Sequence, residues 1–261
     1  MMKVIDTHIH YGTDPNVAKH TCCPDLIRGN PDSVIKFLEA QNASNGVLFP
    51  HDRVMSPPWD ADYDKANMQV GEAVLKYPNE IAGVARINPT FGSKHTQNLI
   101  EKYVKEWGCR GLKLVAGYDF YRPNDMDVVG PMLDKCREYN LTVLFHSGDA
   151  SRDLPYLQAQ VAKAYPEVTF VLAHIGMHHF LWEAIIACQE YKNINVDMSQ
   201  AFPFDIKTFI SNVGTERLTY GSDAPYQSTR IEQEKLRVID LPQDDLVKVF
   251  RENAQRIWNF K

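Results

Sequence analysis

The stretch that decides the fold is VIDTHIH, residues 4–10. An apolar, β-branched run carries a pair of histidines and then breaks at Tyr11-Gly12. The pattern returns three times: LTVLFHSG (141–148) ends on His146, TFVLAHIG (169–176) on His174, and LTYGSDAP (218–225) on Asp223. Each is a strand-type run closed by a polar residue and then a glycine or loop. Eight runs of strand character are legible, at 4–10, 46–51, 81–89, 110–115, 141–147, 169–175, 193–199 and 217–223. Helical periodicity fills the gaps at 31–42, 62–77, 96–107, 127–139, 154–165, 180–191, 203–213 and 227–238. A last helix at 243–259 follows Pro242 and spaces Leu246, Val249, Phe250 and Ile257 along one face. Strands alternating with helices imply right-handed βαβ units and a parallel sheet. Eight units in 261 residues predict a (β/α)8 TIM barrel, a single catalytic domain over residues 1–261. An open doubly wound sheet would carry a Gly-rich phosphate turn after its first strand, and His-Ile-His-Tyr-Gly stands there instead.

Composition narrows the function classes. The chain is 44% hydrophobic and 23% charged, an ordinary globular balance. A net charge of −5 provides no basic stripe for nucleic acid. No apolar run approaches the roughly 18 residues that would span a bilayer. No charged n-region followed by an apolar core opens the sequence, so no signal peptide is expected. Five cysteines without framework spacing read as free thiols in a reducing, cytoplasmic compartment.

In a parallel barrel the strand C-termini meet on one face, where barrel enzymes keep their chemistry. Strand parity puts Asp6, His8 and His10 together facing inward, with Ile5, Thr7 and Ile9 toward the helices. Buried imidazoles need partners, and a metal supplies one for both. Parity also turns Lys113 inward, opposite Leu112 and Leu114. Three long loops, at 11–30, 52–61 and 116–126, follow strands one, two and four. They are the expected pocket walls, with Trp59, Tyr118 and Tyr121 as their aromatic residues.

The segments DTHIH and GLKL, the His-ending strands, YGSDAP, KYPNEIAGVARINP (76–89) and RENAQRIWNF (251–260) resemble the amidohydrolase superfamily. They are most similar to its amidohydrolase-related branch, which holds metal-dependent hydrolases and non-oxidative decarboxylases related to aminocarboxymuconate-semialdehyde decarboxylase. The resemblance implies His8, His10 and His146 as metal ligands, and Asp223 as a ligand or proton acceptor. It implies His174 as general acid/base in a one-metal site. In a two-metal version, His146 and His174 would bind a second ion and Lys113, carboxylated, would bridge the pair. One ion is favoured. The donor set suits Zn2+. The function implied is a hydrolase that activates water on the metal, with decarboxylation of a small aromatic or unsaturated acid as the alternative. The partner is a small-molecule substrate, and the branch suggests a homodimer.

Other polar residues have weaker claims. His51, Arg86 and Tyr118 are candidate substrate contacts. Asp6 reads as structural, His178 and His179 as capping or exposed, and Cys22-Cys23 as a plain thiol pair.

Overall fold

The computed structural model describes residues 2–14, 17–51 and 63–261. Eight strands form one parallel sheet in chain order: β1 (Val4–Tyr11), β2 (Ala43–Pro50), β3 (Ile81–Arg86), β4 (Gly111–Leu114), β5 (Thr142–Phe145), β6 (Phe170–Leu172), β7 (Ile194–Asp197) and β8 (Leu218–Thr219). The first and last strands join. Thr7 N donates to the Tyr220 carbonyl at 3.0 Å and His10 N to the Ala224 carbonyl at 2.7 Å. The expected (β/α)8 barrel is therefore the observed fold.

The helices occupy the expected gaps, except that a short α4 (Ala116–Asp119) forms within the expected 116–126 loop: α1 (Pro31–Ala40), α2 (Asp64–Lys76), α3 (Ser93–Trp107), α5 (Met126–Tyr139), α6 (Pro155–Ala164), α7 (Leu181–Glu190), α8 (Pro203–Val213) and α9 (Thr229–Val238). The last stretch is α10 (Gln243–Val247), a π turn (Lys248–Glu252) and α11 (Asn253–Trp258). Local chemistry sets many ends. Pro31 opens α1, where the Asn30 side chain accepts from Asp32 N. Gly108 and Asn140 close α3 and α5 in left-handed conformations. No described helix is long and apolar enough to cross a membrane.

The core has two parts. Inside the barrel, Ile5, Val47, Phe49, Val84, Leu144 and Val171 pack with Ile257 and Trp258 of α11. Outside it, the other strand faces, with Leu112 and Leu114 among them, pack against the helices.

The inner cluster corrects the parity reading of β1. Ile5 lies inside the barrel, and Asp6 turns outward to accept from Gln41 Nε2, at the end of α1, at 2.9 Å. The cause is a register shift: Asp6 pairs with Gly46, but Ile9 pairs with Leu48. One extra residue on β1 is a bulge, and it flips the alternation. His8 and His10 therefore face inward while Asp6 does not.

Two strands are also shorter than their apolar runs. His174 and Ile175 take φ of 62° and 51°, and Asp223 takes 54°. Left-handed residues leave the ladder, so His174 and Asp223 stand on turns just past β6 and β8. Non-glycine residues in this region are uncommon and cluster at functional sites.

Candidate metal centre and its cavity

The inward histidines of β1 meet acids from the far side of the barrel. His8 Nδ1 lies 2.8 Å from Asp197 Oδ2, at the end of β7. A carboxylate only accepts, so Nδ1 carries the ring proton and Nε2 is left facing Asp223 Oδ1, 3.1 Å away. His10 Nε2 approaches the same oxygen, also at 3.1 Å. Two imidazoles and a carboxylate thus converge on one buried point. His8, His10 and Asp223 have ligand atoms within 4.8 Å of one another, and so do His8, His174 and Asp197.

Electrostatics agree with a cation there. Burial and Lys113 pull the His8 pKa down, the Asp197 and Asp223 carboxylates push it up, and the net direction is up. Burial works against ionised Asp223, yet hydrogen bonds from His10 and His8 hold it well below the usual carboxylate range. The site keeps positive charge at this point, as a proton or as a metal. Imidazole and carboxylate donors fit a divalent ion, and a carboxylate behind His8 is the usual support for a ligating imidazole.

His174 is held differently. Its Nδ1 lies 2.8 Å from Ser199 Oγ and 3.2 Å from the Ser199 carbonyl. Its Nε2 lies 3.2 Å from His146 Nδ1. Burial pushes the His174 pKa down to about 3, so the ring is neutral. His146 in turn places Nε2 3.1 Å from Asp149, an exposed acid. His146, expected as a ligand beside His8 and His10, lies against His174, outside the two donor groups above. His146 directly follows β5, which lies across the barrel from β1 and beside β6.

Two glycines permit this packing. A Cβ on Gly221 would stand 2.7 Å from the His8 Cβ, and one on Gly148 would stand 2.2 Å from the Gly176 carbonyl. Both are too close for any larger residue without movement.

A cavity of about 240 Å3 opens beside these groups, lined by His10, His146, His174 and Asp223 together with Tyr118, Asp149, Gln200, Tyr226 and Gln227. Tyr118 stacks on His146, with 6.3 Å between centroids and 19° between planes. Tyr118 is thus where a substrate contact was expected.

His51 and Arg86 do not line this cavity. His51 Nδ1 lies 2.8 Å from the Tyr226 hydroxyl. Arg86 forms a buried ion pair with Asp119 at 3.2 Å, and its guanidinium lies over the Tyr63 ring. Lys113 does point inward, with Nζ 3.5 Å from His8 Nε2 and over the Phe49 ring. Asp6 accepts from the Ser222 and His8 backbones at 2.9 and 3.2 Å and touches neither ring. Burial raises its pKa to about 6. Exposed His178 pairs with Asp205 at 2.8 Å. Of the three expected walls, the 116–126 loop contributes Tyr118. From the described part of the 11–30 loop, Thr21 Oγ1 donates to the Pro225 carbonyl. The 52–61 loop, with Trp59, lies outside the described residues.

The sequence reading missed Asp197, Ser199 and Gln200. The run INVDMSQ (194–200) carried the signal, since it ends in polar residues like the other site strands. Gln200 Nε2 donates to Asp223 Oδ2, and Ser199 ties His174 to Asp197.

Residues 5–260 match the amidohydrolase family described as Amidohydro_2. The chain belongs to the amidohydrolase family. Family membership and the donor groups together support an enzyme with a divalent metal at this mouth. No curated protein matches the sequence. Among solved structures, the chain is similar to 5-carboxyvanillate decarboxylase from Sphingomonas paucimobilis. That match has 14% identity, a TM-score of 0.75 and 100% of both chains covered. It is similar to 2,6-dihydroxybenzoate decarboxylase from Rhizobium at 14% identity and TM-score 0.77, covering 99% of each chain. A dihydroxybenzoic acid decarboxylase from Polaromonas sp. JS666, with bound manganese, also matches at 14% identity and TM-score 0.77. There the cover is 99% of this chain and 97% of that one. At such identities the likeness shows the fold.

Proposed function

We propose that this amidohydrolase is a metal-dependent, non-oxidative decarboxylase of a small aromatic carboxylic acid. The observation that carries the reading is the cavity. Its volume of about 240 Å3 lies under the roughly 300–1,000 Å3 of drug-sized pockets, and its wall is the stacked Tyr118–His146 pair. That is room for one ring with an aromatic face to lie on. The reactions named for the similar structures support the same reading. The hydrolase expectation yields to it.

In this proposal His8, His10 and Asp223 hold the ion, and Asp197 orients His8. Manganese is the ion to load first, ahead of the zinc that the donor set alone suggested. When bound, the ion supplies Lewis-acid charge that neutralises the substrate's oxygens. Lys113 does not line the cavity, so its part is to balance the buried carboxylates rather than to polarise substrate. Decarboxylation breaks the bond to the carboxyl carbon, leaves the electron pair on the ring carbon, and needs one proton there. Asp149, His146 and His174 form a line of hydrogen bonds from solvent to the cavity. Ser199 holds His174 Nδ1, so Nε2 is the atom that takes up that proton and delivers it.

The test is to load the protein with Mn2+ and offer ortho-hydroxybenzoic acids in D2O. Carbon dioxide should appear with an arene carrying one deuterium at the vacated carbon. Hydrolysis of amides or lactones without any carbon dioxide release from the acids would overturn the reading.

A further inference from the structure

A second cavity opens at the same end of the barrel. It measures about 330 Å3 and is lined by Arg122, Ser151, Arg152 and Leu157. The same two loops wall both cavities. Tyr118 and Asp149 line the first, and Arg122 and Ser151 follow them along the chain to line the second. Asp149 and Ser151 are two residues apart, at most about 7 Å of chain, and Tyr118 and Arg122 are four apart, at most about 14 Å, so the two cavities are neighbours.

The second cavity is braced. Asn124 Nδ2 donates to Gln160 Oε1 at 2.8 Å, tying one loop to α6. Gly117 N donates to buried Asp153 at 3.1 Å, tying that loop to the other. Phe120 takes a φ of 58°, a conformation bulky residues rarely adopt, and its ring is 63% exposed. The Arg152 guanidinium lies 5.8 Å from that ring's centroid. The strained backbone thus presents an aromatic face to a guanidinium.

Arg28, Arg86, Arg137 and Arg237 each pair with an acid. Among the described residues, no carboxylate lies within ion-pair distance of Arg122 or Arg152. In a chain of net charge −5, two exposed guanidiniums line one cavity in which no acid stands among the described residues.

We propose that Arg122, Arg152 and the Ser151 hydroxyl form an oxyanion subsite for a carboxylate or phosphate-type group. Guanidinium forks match such oxygens two at a time, and a hydroxyl adds a third donor. The subsite adjoins the catalytic cavity, so it takes a second acidic group of the substrate. Diacids are then preferred over monoacids, a consequence that rests on the decarboxylase reading.

The experiment is calorimetric titration of inorganic phosphate into the full-length metal-loaded protein and into the Arg122→Ala/Arg152→Ala double variant. Phosphate also meets the metal, so the readout is the difference between the two proteins. The subsite predicts a binding event in the parent that the double variant weakens at least tenfold, with thermal melting confirming that the variant is folded. Equal binding by both proteins, or binding by neither, overturns it. Phosphate that raises KM for a diacid without changing kcat, and does so more in the parent than in the double variant, assigns the subsite to the substrate. Binding without competition assigns it to a free anion. The titration stands whether or not the protein releases carbon dioxide, so the two proposals fail separately.

Discussion

Two buried ionic clusters stand at the mouth of this barrel, and they differ in whether their charge is already matched. Around Arg86, one guanidinium meets Asp119 at 3.2 Å, and the Tyr63 hydroxyl donates to the same acid at 2.8 Å. Around His8, two acids and two imidazoles crowd together, and His10 and Asp223 open onto a cavity. The first cluster closes on itself and braces the loop that carries Tyr118. The second converges acceptors on one point and so favours a cation. An inward polar residue at a strand end marks chemistry only when its partners leave something unsatisfied.

The sharpest way to break the contrast is to remove the acid of the open cluster. Asp223→Ala should cut carbon dioxide release by about three orders of magnitude, roughly 4 kcal/mol of barrier, in a protein that still folds. Steady-state assay beside circular dichroism reads both, and near-parental turnover would refute the site. Arg86→Met should do the reverse. It takes the Arg86 cation away from buried Asp119, at a cost of about 3–5 kcal/mol in urea unfolding, while metal content stays at the parental level. A stability change under 1 kcal/mol would mean the closed cluster is not closed.

Another buried acid, Glu232, has a pH effect of its own, with the Asp223 charge among its causes. Burial raises the Glu232 pKa from 4.5 to about 7 despite Lys235 alongside. The folded chain then binds more protons than the unfolded one between those values. Its contribution to stability is present below pH 4.5 and is lost as pH rises through about 7, by at most about 3 kcal/mol. Glu232→Gln should flatten that part of the pH–stability curve, and an unchanged slope would remove Glu232 from the account. The smallest effect is expected behind His8. Asp197→Asn should weaken metal binding by about 10–100-fold without abolishing it. Competition with a chelating dye measures this, and unchanged affinity would leave Asp197 a purely structural acid.

The fold was legible because its evidence is periodic. Eight apolar runs alternating with amphipathic ones define the barrel, and the residues at their ends define its chemical face. His8, His10, His174 and Asp223 were all visible in this way. What stayed hidden depends on contacts between distant segments. The bulge after Asp6 cannot be seen in a strand read by itself, so parity misplaced Ile5 and Asp6. The pairing of His146 with His174 depends on which strand ends are neighbours and how far their turns reach. Arg86 was visible as a candidate substrate contact, but Asp119, thirty-three residues later, decides that it is already paired. Asp197 was within reach of the same pattern, since its strand also ends in polar residues.

The most direct test of the central claim is metal analysis of three proteins purified without chelator in the presence of Mn2+. We predict about one ion per chain in the parent and in Arg86→Met, and none in Asp223→Ala. An ion retained by Asp223→Ala, or absent from the parent, would contradict a metal centre built on His8, His10 and Asp223.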